Sequence, residues 1–346
     1  MTPASATTGL RGHLSSSRST VVLQSLEDKT ILLTGAAGFL GTAIAEHLAG
    51  VRCRVRRLDR PDVRRARPHG HARWEDIDGD VADRTTWHDA LADADVVIHL
   101  AAQTSVYVAE ADPVADLRAN VEPMLSLIDA CRARRTRPVV AFAGTATEVG
   151  LTDTGDPVDE SRQDVPITVY DVHKLTAERH LACATRLGDV QGVTLRLTNV
   201  YGPGPRSSNR DRGFLNAMVR RALAGEPLTA YGSGACVRDY VYVDDVVRAF
   251  LTAIVNIHRV EGRHFLVGSG TGTTIAGALR LVADRVAAQT GVHVPVLSVE
   301  TPAGLSPIER RSFVADTRRL RDATGWEAQV DLAQGIDRTI AAARIS

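Results

Sequence analysis

The sequence predicts an α/β protein: a parallel sheet wound on both faces by helices, with a smaller C-terminal α/β lobe beside the carboxyl edge of the strands. Two observations predict it. From Thr30 onward, short apolar runs alternate with helical segments of roughly 10 to 20 residues, the rhythm of βαβ units. After Asn199 that rhythm stops, and Tyr201-Gly202-Pro203-Gly204-Pro205 opens a loop-rich region with isolated helices.

Taken in order, residues 1–26 are rich in Ser, Thr, Ala and Arg and hold no acidic residue, so they read as a disordered leader. Ile31-Leu32-Leu33 is a buried strand, followed by a helix that runs to Leu48. Further strands are expected at Arg52 to Leu58, just ahead of Asp80, at Val96 to Leu100 and at Val139 to Phe142. A helical stretch from about Pro113 to Arg135 lies between the last two, by the same periodicity argument. A helix over 168–186 leads to the strand Val193 to Leu197, and later helices are expected near 213–224, 244–256, 274–290 and 331–344. Residues 27–199 thus make the doubly wound domain, with 238–257 returning to it, and residues 200–237 and 258–346 mainly build the smaller lobe.

The composition narrows the partners. The formal net charge is zero and 44% of the 346 residues are hydrophobic, so nothing favours nucleic acid or an anionic membrane over a small molecule. Cys53, Cys131, Cys183 and Cys236 are scattered without a Cys-x-x-Cys pair, which argues against a disulfide framework or a zinc site and fits a reducing, cytoplasmic compartment. No stretch approaches the roughly 20 apolar residues of a membrane helix, and no signal core precedes the first strand. No metal site is expected.

The first strand runs directly into Thr34-Gly35-Ala36-Ala37-Gly38-Phe39-Leu40-Gly41, a Gly-x-x-Gly-x-x-Gly turn that opens a helix. Glycines there let the backbone approach a pyrophosphate, and the helix N-terminus supplies amides and a favourable dipole for its charge. The result is a Rossmann-type dinucleotide site. Asp59 ends the second strand, where a carboxylate accepts the adenosine ribose hydroxyls and disfavours the extra phosphate of NADP. NAD is therefore preferred, with NADP left possible because Arg57 and Arg60 could offset the repulsion. Asp80 follows a strand and could hydrogen-bond adenine.

Lys174 is one of two lysines in a chain whose other 39 Lys plus Arg residues are Arg. It stands four residues after Tyr170, so on a helix both point into one space. An ammonium beside a phenol favours the phenolate and lowers a pKa that starts near ~10, which makes the tyrosine a usable acid or base.

Together with His99-Leu100-Ala101-Ala102-Gln103, Asn120, Arg196-Leu197-Thr198-Asn199-Val200-Tyr201-Gly202-Pro203 and Arg238-Asp239-Tyr240-Val241-Tyr242, these motifs resemble the extended short-chain dehydrogenase/reductases acting on nucleotide sugars. The resemblance covers about residue 28 to the C-terminus. It implies Tyr170 as catalytic acid/base and Lys174 as the residue that binds the nicotinamide ribose and tunes Tyr170. It places Thr145 at the reacting sugar oxygen, with Ala146 and Thr147 beside it. Cofactor contacts are implied for Gly35, Ala37, Gly38, Phe39, Leu40 and Gly41, for Asp59, Arg60, Asp80 and Val81, and for Leu100, Ala101, Ala102, Gln103 and Asn120. Asn199 and Arg238 match positions that hold the substrate diphosphate.

Three departures limit the transfer. Family members that dehydrate sugars carry Asp and Glu immediately after the catalytic hydroxyl residue, where this chain has Ala146 and Thr147; a 4,6-dehydratase is thereby disfavoured. The usual Tyr before the loop's last glycine is Val149. Ser306-Pro307-Ile308-Glu309 replaces the Arg-Pro-Gly-Asp of many epimerases, with Arg310 or Arg311 as a substitute clamp. The segments Met218 to Ala230, His264 to Gly268 and Gly335 to Ala343 look most like 4-ketoreductases of deoxysugar pathways in antibiotic biosynthesis. The resemblance therefore implies hydride transfer at C4 of a nucleotide sugar, first as reduction of a dTDP-4-keto-6-deoxyhexose and alternatively as NAD-dependent 4-epimerisation of a UDP-hexose. A non-catalytic dinucleotide sensor is disfavoured because Tyr170, Lys174 and Thr145 are all present. Relatives pair through two long helices, so a homodimer through 113–135 and 168–186 is expected.

Overall fold

The structure is a computed structural model that describes residues 17–344 apart from 64, 66, 153–155 and 206–212. Residues 1–16 of the expected leader lie outside the described residues. The rest of that expectation needs correction. Ser17–Gln24 form a helix, α1, and Val22, Leu23 and the fully buried Leu26 pack on the main core, because this short apolar cluster ends a segment otherwise poor in core residues.

The chain then alternates strand and helix: β1 (Thr30–Thr34), α2 (Phe39–Leu48), β2 (Arg54–Asp59), β3 (Arg73–Asp78), α3 (Arg84–Ala90), β4 (Val96–His99), α4 (Val106–Ala111), α5 (Pro113–Asn120), α6 (Glu122–Arg134), β5 (Val139–Thr145), a 3-10 turn over Ala146–Val149, α7 (Val169–Leu187) and β6 (Gln191–Leu197). The C-terminal part follows with β7 (Asn199–Tyr201), α8 (Phe214–Leu223), β8 (Leu228–Tyr231), β9 (Val237–Tyr242), α9 (Val243–Val255), α10 (Ile257–Val260), β10 (His264–Val267), β11 (Gly272–Thr274), α11 (Ile275–Thr290), β12 (Val296–Val299), α12 (Arg318–Thr324) and α13 (Leu332–Ala343).

Seven strands form one sheet in the order β10-β6-β5-β4-β1-β2-β3, and every pairing in it is parallel. Ile31, Leu32 and Leu33 are fully buried because helices cover both faces. β1 pairs on one side with β2 and on the other with β4, so the strand order reverses there and a crevice opens at the carboxyl ends. β3, the edge strand, is polar. Its Glu75 binds Arg54 and Arg56, and its Asp76 binds Arg57, so cross-strand ion pairs replace hydrophobic alternation at an edge that must resist further pairing.

Two expectations shift. The helix expected over 113–135 is divided at Val121 into α5 and α6, since Pro123 cannot donate and lies at the start of α6. β10, within the span assigned mainly to the smaller lobe, instead extends the large sheet beside β6. The rest of the C-terminal part holds a β11-β9-β7 sheet, a β12-β8 pair and the mutually packed helices α8, α11 and α13. In the returning segment, α9 packs on α2, β5 and β6 while β9 belongs to the smaller sheet. Among the described residues, no helix is long and apolar enough to cross a membrane.

Near the carboxyl end of β6, Arg196 is 1% exposed and joins three acidic side chains. It donates to Glu178 at 2.8 and 2.7 Å and to Asp164 at 2.5 and 3.0 Å, and lies 2.9 Å from Glu148. These partners come from α7, the segment before α7 and the 3-10 turn. Arg196→Met fills the same space but leaves the acids without their cation, and urea unfolding should show a loss of about 3–5 kcal/mol.

Candidate active site

The turn after β1 is shaped by steric limits. Gly35 has φ +65°, and a Cβ there would stand 2.9 Å from the Ala101 nitrogen, so only glycine lets β1 and the end of β4 approach this closely. A Cβ at Gly41 would lie 2.3 Å from the Gly35 carbonyl oxygen. Gly38, exposed and extended, caps α2 without any side-chain hydrogen bond, and the first turn of α2 has no acid. The first-turn amides of α2 are therefore open to an anion, with Phe39 and Leu40 at the same turn.

Asp59 closes one side of this turn. Its Oδ2 accepts from the Ala37 nitrogen and its Oδ1 from the Arg60 nitrogen, both at 2.9 Å, which fixes the carboxylate at the end of β2 beside the glycines. Arg60 is exposed, whereas Arg57 is buried, salt-bridged to Asp76 and stacked 5.0 Å from the Trp74 ring centroid. The expectation that Arg57 offsets a cofactor phosphate is corrected: its guanidinium belongs to the β2–β3 pairing. Asp80 accepts from the Ala82 nitrogen at 2.9 Å, an Asx turn that orients the exposed carboxylate next to Val81. Thr34 Oγ1 accepts from the nitrogens of Leu100 and Ala101 at 3.2 Å and contacts His99 Nδ1 at 2.8 Å. His99 is pushed down to about 3 by burial and then by the Lys174 charge, so it remains a neutral spacer under the sheet end.

Gln103, Ala102 and Asn120 lie along the next rim. Gln103 Nε2 donates to Asp116 at 2.6 Å, and Asn120 Nδ2 donates to Asp116 at 2.9 Å and to the Gln103 carbonyl at 3.0 Å. His173 of α7 contacts the other Asp116 oxygen at 2.6 Å. Asp116, which sequence reading did not single out, thus holds the Gln103 loop and α5 against α7.

Tyr170 and Lys174 share the inward face of α7 and are 5% and 3% exposed. The Lys174 ammonium lies 4.0 Å from the Phe142 ring centroid on β5, and an arginine fork does not fit so enclosed a place. Thr145 ends β5 and caps the 3-10 turn in a capping box with Glu148. Its hydroxyl is 2.7 Å from that of Thr147, whose hydroxyl donates to Asp171, the residue after Tyr170. Glu148 points away from the crevice toward Arg196, and burial together with the neighbouring Glu178 pushes it well above the usual carboxylate range. Ala146 and Thr147 therefore leave no carboxylate at the positions that eliminate water.

The substrate-side residues are less alike. Asn199 is half-buried on β7. Arg238 is 4% exposed and donates to the carbonyls of Glu309 (2.7 Å) and Arg311. Its guanidinium is thereby placed as a brace for the 307–311 segment rather than as the open diphosphate fork expected from the sequence. That segment sets buried Ile308 against Tyr170, Val106 and Ala109. Arg310 is exposed and Arg311 is buried with its guanidinium near Phe313. Among the described residues, no group of His, Cys, Asp and Glu is gathered to hold a metal.

The uncapped glycine turn, Asp59 and buried Lys174 fit NAD, with phosphate, adenosine ribose and nicotinamide ribose served in turn. The model of the NAD dependent epimerase/dehydratase family matches residues 31–268. A UDP-glucose 4-epimerase of Mycolicibacterium smegmatis is 31% identical over 89% of this chain and 96% of its own length. The crystal structure of a Thermotoga maritima UDP-glucose 4-epimerase with UDP-glucose is 27% identical, with TM-score 0.79 over 91% of this chain and 99% of that one. That of a Thermus thermophilus UDP-glucose 4-epimerase with NAD is 30% identical, with TM-score 0.75 and the same coverage. Asp59→Asn keeps the shape of the β2 end but removes the charge. Isothermal titration should show NAD bound about 10-fold more weakly and the preference over NADP reduced.

Proposed function

We propose, for a chain that belongs to the NAD-dependent epimerase/dehydratase family, that it inverts C4 of a nucleotide-activated hexose, most simply a UDP-hexose, without net oxidation. The observation that carries this reading is a complete proton-handling face, Thr145 on β5 opposite Tyr170 and Lys174 on α7, next to a cofactor turn whose Asp59 selects NAD. An enzyme that returns its hydride within one catalytic cycle needs no exchangeable reductant. The UDP-glucose 4-epimerases similar to this chain over most of its length support it further.

NAD held by the turn over Gly35, Gly38 and Gly41, by Asp59 and by Lys174 would supply an acceptor for the C4 hydride and a donor of it to the other face of the sugar. Tyr170 as phenolate removes the C4 hydroxyl proton and, as phenol, gives it back. Lys174 supplies the charge that favours the phenolate and holds the nicotinamide ribose. Thr145 hydrogen-bonds the reacting oxygen, and Asn199 holds the diphosphate. The 4-ketoreductase expectation rests on the C-terminal segments alone and becomes the other outcome of the assay. The enzyme is placed in the cytoplasm, where nucleotide sugars and NAD meet.

We further propose a homodimer. Val114, Leu117, Leu125 and Val172 leave apolar side chains exposed on α5, α6 and α7, a surface that a second copy would cover. Light scattering should give twice the mass of one chain, and Leu117→Glu with Leu125→Glu should give one; a wild-type monomer would exclude the pairing.

Tyr170→Phe should bind NAD with unchanged affinity yet lose most turnover, by about 100-fold or more. With UDP-hexoses, purified protein should interconvert the C4 epimers without added reductant. Stoichiometric loss of NAD(P)H absorbance with dTDP-4-keto-6-deoxyglucose, and no epimer exchange, would replace the epimerase reading by the reductase.

A further inference from the structure

Beside Tyr170 runs a chain of hydroxyls that proton transfer by the tyrosine does not use. Thr145 Oγ1 lies 2.7 Å from Thr147 Oγ1, and Thr147 Oγ1 donates to Asp171 Oδ1. Thr168 Oγ1 donates to Asp171 Oδ2 at 2.7 Å and accepts from the Asp171 nitrogen at 3.2 Å. Asp171 is 0% exposed, Thr168 4%, and Thr145 and Thr147 8% each. Each hydroxyl has one proton to give. Thr147 gives its proton to Asp171, so the bond between the two threonines is donated by Thr145. The chain therefore points from Thr145 through Thr147 into a buried carboxylate.

This direction leaves Thr145 with a lone pair for the substrate. It suits a sugar alcohol, whose hydroxyl donates to Thr145 and completes a run of aligned bonds. A sugar ketone needs a donor instead. The chain provides one when each proton moves one place along it: the sugar's proton to Thr145, that of Thr145 to Thr147, and that of Thr147 to Asp171. All the bonds then persist with reversed direction, and Thr145 donates to the carbonyl oxygen.

We propose that Asp171, acting through Thr147 and Thr145, is a second holder of the proton of the reacting hydroxyl, parallel to Tyr170. The inference rests on the C4 reading above, because it needs Thr145 at the reacting oxygen. In the oxidative half the C4–H bond breaks and its electron pair leaves as hydride to the oxidised nicotinamide, which is reduced. The O–H bond breaks, its proton enters the chain, the alcohol becomes a ketone and the carboxylate of Asp171 becomes a carboxylic acid. The return step reverses each transfer. Thr147 and Asp171 act on the reacting oxygen through Thr145 and are positioning residues for it.

A double-mutant cycle separates parallel routes from shared structure. Thr147→Val and Asp171→Asn keep the side-chain shapes but break the relay. Each should lower turnover only a few-fold beside Tyr170, and by about 10-fold or more beyond that in the Tyr170→Phe background. Thr147→Ser should restore the rate in both backgrounds. Equal losses in the two backgrounds, or no rescue by Ser, would overturn the relay. Infrared difference spectra supply a readout apart from turnover: a protonated-carboxyl stretch should appear on exchanging a bound sugar alcohol for the ketone and vanish in Asp171→Asn. Its absence in the wild type also overturns the relay. Wild-type protein inert toward nucleotide sugars overturns the C4 reading and the relay together, whereas an active wild type with an additive cycle overturns the relay alone.

Discussion

The structure depends on one buried cation. Arg196 takes Glu148 from the 3-10 turn that follows Thr145, Glu178 from α7 and Asp164 from the segment entering α7. Glu178 stands one helical turn beyond Lys174, on the same face, so the ion cluster aligns the face that carries Tyr170 and Lys174 against the end of β5. Buried ion pairs add little net stability against apolar packing of equal volume, but they enforce geometry, because removing one partner strands the others. Here the geometry enforced is the distance between a hydroxyl on a strand end and a phenol on a helix.

A second layer of braces repeats the logic at the rim. Asp116 collects Gln103, Asn120 and His173 and so ties the loop after β4 to α7. Asp239 accepts from the nitrogens of Ser269, Gly270 and Ala315, which anchors the C-terminal chain to β9. Arg238 next to it holds the carbonyls of Glu309 and Arg311 and so keeps Ile308 on Tyr170. Each of these side chains is buried and joins segments that are distant in the sequence.

Sequence patterns made the parallel sheet and the glycine turn legible because both rest on local rules. Fully buried strands read as continuous apolar runs, and a Cβ at Gly35 or Gly41 collides with backbone. The Tyr170/Lys174 pair was legible for the same reason, since a spacing of four on a helix fixes a shared face. β3 was harder to see because its stability comes from Arg54, Arg56 and Arg57 across the strand, a non-local pairing that leaves no alternation. The division of the 113–135 helix was marked by Pro123, but helical periodicity on both sides concealed it.

By itself the sequence determined the doubly wound class, the dinucleotide turn with Asp59 and the shared helix face of Tyr170 and Lys174, since each follows from residue type and short spacing; Thr145 was legible only through the family resemblance. Tertiary structure alone decided what the long-range polar residues do. It turned Arg57 and Arg238 from free cations into braces, set Glu148 away from the crevice, and brought Asp171 and Thr147 into line with Thr145. Those outcomes depend on which strands and loops meet, and a side chain's partner across 24 or 73 residues cannot be read from its neighbours in the chain.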